Sequence, residues 1–138
     1  MSIGRSDRLT QVLEDLFDRG NGRFQSAVVT NERGLIVTKK VHGDHPEESL
    51  AAMTALLSDA SVRVNSNLEL GMPELAVVRS SSAQLAVKEF PVRKKPFRIG
   101  LVIKDKKKRW WHRGMTPEKI EKSLTEAAES VRAILESK

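Results

Sequence analysis

From Asp7 to Arg19 the apolar residues Leu9, Val12, Leu13, Leu16 and Phe17 recur at the i, i+3, i+4, i+7, i+8 spacing of one helix face. Ser6 is placed to cap this helix, Gly20 to end it, and the acids Glu14, Asp15 and Asp18 fall on the far side. The pattern predicts a surface helix packed on something flat. Phe24–Thr30 and Leu35–Lys40 then read as two strands joined by Asn31-Glu32-Arg33-Gly34, whose Asn at the first place and Gly at the fourth suit a type I turn. Pro46 at a first helical position, with Glu47 and Glu48 in the first turn, opens a helix predicted to run to about Glu69 and to span more than roughly 30 Å.

That long helix has an apolar stripe at Leu50, Met53, Leu57, Ala60 and Val64, yet Ala51, Ala52, Ala55 and Leu56 fill the positions between. A helix apolar most of the way round has to be covered on two sides, and a single sheet covers one. Self-association is the simplest second cover; alanines are also good helix formers that tolerate water.

Beyond Gly71-Met72-Pro73 three more strands are predicted, at Leu75–Ser80, Gln84–Phe90 and Phe97–Lys104, with Ser81-Ser82 as a turn and Pro91–Pro96 as a linker. The nearly unbroken run Ile99, Leu101, Val102, Ile103 suits a central strand covered on both faces. Leu75 to Val78 is apolar too, but stands where an edge would be, and an apolar edge invites pairing, for instance with its own copy. Thr116-Pro117-Glu118 starts the last helix, which turns Ile120, Leu124, Ala127, Ala128, Val131, Ile134 and Leu135 inward.

These elements make one α/β domain over residues 1–138, ordered α-β-β-α-β-β-β-α. The expected architecture is an α+β sandwich, a five-stranded, mostly antiparallel sheet with the long helix on one face and the terminal helices on the other. A chain of 138 residues has room for one core of that size.

Composition narrows the chemistry. Without cysteine there is no disulfide framework, thiolate nucleophile or sulfur-ligated zinc, which suits a cytoplasmic address. No apolar run reaches the roughly 18 residues of a membrane span, and the start lacks the apolar core of a signal peptide. Phosphate loops of the GxxxxGK[ST] type, GxGxxG turns, GxSxG elbows and HExxH helices are all missing, and the acids are scattered over helix faces. His42, Asp44 and His45 offer metal-ligating atoms in one loop, but no second ligand pair at suitable spacing accompanies them. The expectation is therefore no enzyme, cofactor, metal or small-molecule substrate.

The net charge of +6 is local: Lys88 to Arg113 holds eleven Lys or Arg against two acids, so the remainder is slightly acidic. Both tryptophans lie in its densest part, the basic segment at about 104–114, Lys104-Asp105-Lys106-Lys107-Lys108-Arg109-Trp110-Trp111-His112-Arg113-Gly114. Cations for phosphates with rings for base stacking suit a single-stranded nucleic acid, and the same pairing suits an anionic membrane surface. A solvated basic loop whose tryptophans pack back on the last helix accounts for it equally.

The order of elements resembles the roadblock family, small domains related to dynein light chains and longin-like folds. The likeness is carried by Leu13 to Phe17, by the hairpin Ala27 to Val37, by Glu48-Ser49-Leu50-Ala51-Ala52-Met53 opening the long helix, and by Leu68-Glu69-Leu70-Gly71 before a strand. The basic stretch from Lys94 to Gly114 departs from it. The resemblance implies a homodimer or heterodimer in which long helices pair and edge strands join, presenting a platform to a Ras-like small GTPase. Leu50, Met53, Leu57, Ala60, Val64, Leu75 and Val77 are then the expected interface residues. It implies a cytoplasmic regulator or scaffold without catalytic groups; recruitment to a membrane surface is an expectation of the basic tryptophan segment instead.

Overall fold

The computed structural model describes residues 4–20, 22–42, 46–104 and 116–137. Eight elements follow in the expected order: α1 (Arg5–Arg19), β1 (Phe24–Thr30), β2 (Ile36–Val41), α2 (Glu47–Asn67), β3 (Ala76–Arg79), β4 (Ala83–Val92), β5 (Lys95–Lys104) and α3 (Pro117–Glu136). The strands form one sheet in the order β2-β1-β5-β4-β3, and every neighbouring pair is antiparallel. The unbroken apolar run is central β5, and the apolar strand after Pro73 is the edge.

Strand alternation sorts the side chains into two layers. Phe24, Ala27, Val29, Ala86, Phe90, Ile99, Leu101 and Ile103 meet α1 and α3, whose Leu13, Leu16, Ile120, Leu124 and Val131 complete the main core. On the other face a smaller cluster joins Val28 to Leu50 and Ala51 of α2, with Ile36, Leu85 and Val102 at its margin. The long helix and the terminal helices thus lie on opposite sides.

The β1–β2 turn forms as its residues dictate. The Asn31 carbonyl accepts from the Gly34 N–H at 2.9 Å, its side-chain Oδ1 accepts from the N–H groups of Arg33 and Leu35, and Gly34 takes a left-handed φ of 81°.

Several boundaries differ from expectation. Gly4, not Ser6, is the N-cap of α1, and no side chain caps it. Pro46 occupies the N-cap of α2 rather than its first helical position, and the helix ends at Asn67. There Glu69 adopts a left-handed φ of 53°, and the N–H groups of Glu69 and Leu70 return to the carbonyls of Ser66 and Asn65. This is a Schellman ending built on a glutamate, so the glycine that normally signals such an end comes two residues late.

The expected linker Pro91–Pro96 is instead a continuous hairpin, with Pro91 paired to Pro96 and Val92 to Lys95. Its two-residue turn, Arg93-Lys94, has φ of 49° and 71°, the left-handed pair of a type I′ turn usually made by Asn-Gly. In such a hairpin the closing pair exchanges the hydrogen bonds and the next pair directs its nitrogens outward. The two prolines occupy that outward pair, beyond the ends of β1 and β3, and so cost the ladder nothing.

Candidate interaction surface

The side of α2 that meets the sheet is small and increasingly polar along its length. Leu50, 7% exposed, and Ala51 are buried on Val28; Thr54 and Ser58 are the next buried residues. Thr54 lies over Gly100, where an added Cβ would come within 2.1 Å of Thr54 Oγ1 and 3.0 Å of its Cβ and Cγ2. The helix approaches the sheet this closely because residue 100 has no side chain.

One turn further on, buried Arg98 reaches up from β5. Its Nε donates to Ser58 Oγ at 3.3 Å and its Nη2 to Asp59 Oδ1 at 3.0 Å, with Glu89 of β4 at 3.8 Å. The Thr30 and Thr54 hydroxyls, buried in the same layer, lack a hydrogen-bond partner. An ionic anchor and small side chains hold this half of α2, where apolar packing holds α1 and α3.

The solvent side of α2 carries several large apolar residues among its polar ones. Met53, Leu56, Val62 and Val64 are exposed, Leu56 at 61%, and Ala52 and Ala60 lie among them. The exposed series continues through Leu68, Leu70 and Met72, the last 83% exposed, into β3, where Val77 and Val78 are both exposed. Successive strand residues point to opposite faces, so neither face of β3 is fully covered. It pairs with β4 alone, and its outer edge offers free backbone groups.

The seven expected interface residues therefore divide. Met53, Ala60, Val64 and Val77 are exposed, Leu57 and Leu75 are half-buried, with Leu75 packed against the main core, and Leu50 faces the sheet. Leu56, absent from the expected stripe, belongs to the exposed set. The 3–4 spacing identified an apolar stripe without saying which of several apolar sides meets the sheet.

Comparison with solved structures places the architecture among known folds. An MglB with a tetrameric arrangement superposes with a TM-score of 0.76 at 18% identity, over 99% of this chain and 93% of that one. Gliding protein MglB from Thermus thermophilus gives 0.75 at 18% identity, over 99% and 94%. A Roadblock/LC7 domain from Streptomyces avermitilis gives 0.69 at 18% identity, over 93% and 98%. The fold is a roadblock fold. No protein-family model matches the chain, and no curated protein does.

On this roadblock fold, the other sequence-predicted features fall away from the exposed apolar face or outside the described residues. Lys106, Lys107, Lys108, Arg109, Trp110, Trp111, His112 and Arg113 lie outside them, as do Asp44 and His45. His42 is described: its N–H donates to Ser26 Oγ at 3.1 Å, and its ring lies 5.8 Å from that of Phe17, which also receives the Lys40 ammonium on its face. Among the described residues no three His, Asp or Glu gather where a metal would sit, and no helix is long and apolar enough to cross a membrane.

Proposed function

We propose that this chain is a noncatalytic regulator or scaffold that pairs with a second copy through α2 and β3 and presents the paired α2 helices to a Ras-like small GTPase. The observation that carries the reading is the set of large apolar residues on the exposed side of α2. The helix buries Leu50, Ala51, Thr54 and Ser58 against the sheet while exposing Met53, Leu56, Val62 and Val64. An apolar helix face running into an apolar, unpaired edge strand is a surface a second copy satisfies at both levels, helix on helix and strand to strand.

The tetrameric MglB of the same fold supports self-association. The GTPase follows from the resemblance to the roadblock family, in which a paired-helix platform performs that task without donating a catalytic group. The chain's own contribution is a rigid surface.

Light scattering after size exclusion at micromolar concentration tests the first half. The parent chain is expected at twice its 15.4 kDa mass or a multiple of it. The double substitution Leu56→Asp and Val64→Asp, at exposed positions, is expected to give a folded monomer. A parent chain that elutes as a clean monomer removes the dimer and the platform together. Calorimetric titration with a small GTPase encoded beside the gene, loaded with a non-hydrolysable GTP analogue, tests the second half; a dimer that binds neither nucleotide form keeps its assembly and loses its proposed partner.

A further inference from the structure

The β4–β5 turn carries a conformational cost that the fold does not require. Arg93 and Lys94 both hold left-handed φ values, where a side chain with a Cβ is disfavoured and glycine is at ease. Arg93 has a use within the molecule: its N–H donates to Glu136 Oε2 at 2.9 Å and its guanidinium to the Glu136 carbonyl at 3.1 Å, fastening the turn to the end of α3. Lys95 has one as well, an ion pair with Glu32 at 3.3 Å that holds the β1–β2 turn alongside. Lys94 is exposed and, among the described residues, nothing pairs with it. A strained residue with no compensation inside its own chain points outside it.

The surroundings of Lys94 say what it meets. The two adjoining turns bring together Arg33, Arg93, Lys94 and Lys95 against Glu32 and Glu136. Leu35, 58% exposed, and the exposed rings of Pro91 and Pro96 stand at the same end. Several backbone donors there are already used: Arg33, Gly34 and Leu35 donate to Asn31, Arg93 to Glu136, and the prolines have no N–H. An end with an exposed leucine and excess cations fits a headgroup layer, where the leucine enters and the cations meet phosphates. An acidic protein surface without an apolar pocket would use the cations and leave Leu35 without a partner.

We infer that these paired turns are a docking point for an anionic phospholipid surface, separate from α2 and β3 and independent of the proposed GTPase platform. The test is flotation of the full chain with vesicles of phosphatidylserine and phosphatidylcholine at low salt, beside vesicles of phosphatidylcholine alone. Binding is expected to the anionic vesicles, to fall as salt rises, and to weaken about fivefold for each cation removed. Lys94→Gly is expected to lose that factor while melting at or above the parent's temperature, because glycine relieves the backbone; Leu35→Ser is expected to bind less with no change in melting.

A chain carrying Lys106→Gln, Lys107→Gln and Lys108→Gln separates this end from the basic tryptophan stretch and is expected to keep the sensitivity to Lys94→Gly. The inference is overturned if the parent fails to float with anionic vesicles, or if Lys94→Gly and Leu35→Ser float as the parent does. It is equally overturned if the Gln triple alone abolishes flotation, or if the parent binds soluble polyglutamate but not vesicles.

Discussion

Gly100→Ala is the substitution that most directly examines how α2 is seated. The new methyl would lie 2.1 Å from Thr54 Oγ1 and 3.0 Å from two Thr54 carbons, and Thr54 is fully buried. A β-branched side chain inside a helix has little torsional freedom with which to yield, so α2 itself must lift. Overpacking of this kind costs about 1–3 kcal/mol, and the rigidity of both partners places this case near about 3 kcal/mol. For a chain of this length that is a fall of roughly 10 °C in melting temperature.

Thermal and urea denaturation at one fixed protein concentration measures the loss, since an associating protein's stability depends on concentration. The deciding comparison is with Thr54→Ala, which removes the atom at 2.1 Å and one of those at 3.0 Å. Alone it is expected to be nearly neutral, because it also deletes a buried hydroxyl with no partner. In the double variant the cost of Gly100→Ala is expected to shrink by at least about 1 kcal/mol. If Gly100→Ala melts with the parent, or if the two effects simply add, the close approach does not govern the position of α2.

Other perturbations follow from the same geometry. Arg98→Ala is expected to cost about 3 kcal/mol in urea unfolding by leaving Ser58, Asp59 and Glu89 without their cation, and Arg98→Met, which refills much of the volume but leaves the same groups unpaired, is expected to lose most of that stability as well; a Met variant as stable as the parent would mean that packing, not the ionic contacts, holds the helix. Thr116→Ala removes the side-chain oxygen that accepts from the Lys119 N–H at 3.2 Å and is expected to lower stability by about 1 kcal/mol, read as a shift in the urea midpoint. Acid should loosen the end that carries the two turns. The Arg93 N–H, then Arg132, hold the Glu136 carboxyl below its ordinary 4.5, and the backbone N–H of Glu32, with Lys95, does the same for Glu32. A carboxyl depressed in the folded state adds stability that is present above the ordinary value and is lost as pH falls through the lowered one. Amide exchange at Arg93 is therefore expected to quicken as pH drops below about 4.5, relative to core amides, and Glu136→Gln is expected to abolish that difference. Unchanged relative protection across this range would count against the fastening.

The order, type and number of elements were legible in the sequence because each carries its own local signal: 3–4 spacing in α1 and α3, turn chemistry at Asn31–Gly34, and an unbroken apolar run in β5. The boundaries missed were those where an ordinary residue takes a glycine's conformation. Glu69 ends α2, and Arg93-Lys94 turns a hairpin that its prolines disguised as a linker. The apolar excess on α2 was also legible, as a count of side chains around the helix.

Which side of α2 is bare was a tertiary matter. Beneath the middle of that helix the sheet offers Gly100 and Arg98 instead of large apolar side chains, so Thr54 and Ser58 turn inward there and Met53 and Leu56 turn out. Periodicity records the spacing of apolar residues along one helix, whereas the choice between its faces depends on the residues contributed by strands distant in the chain.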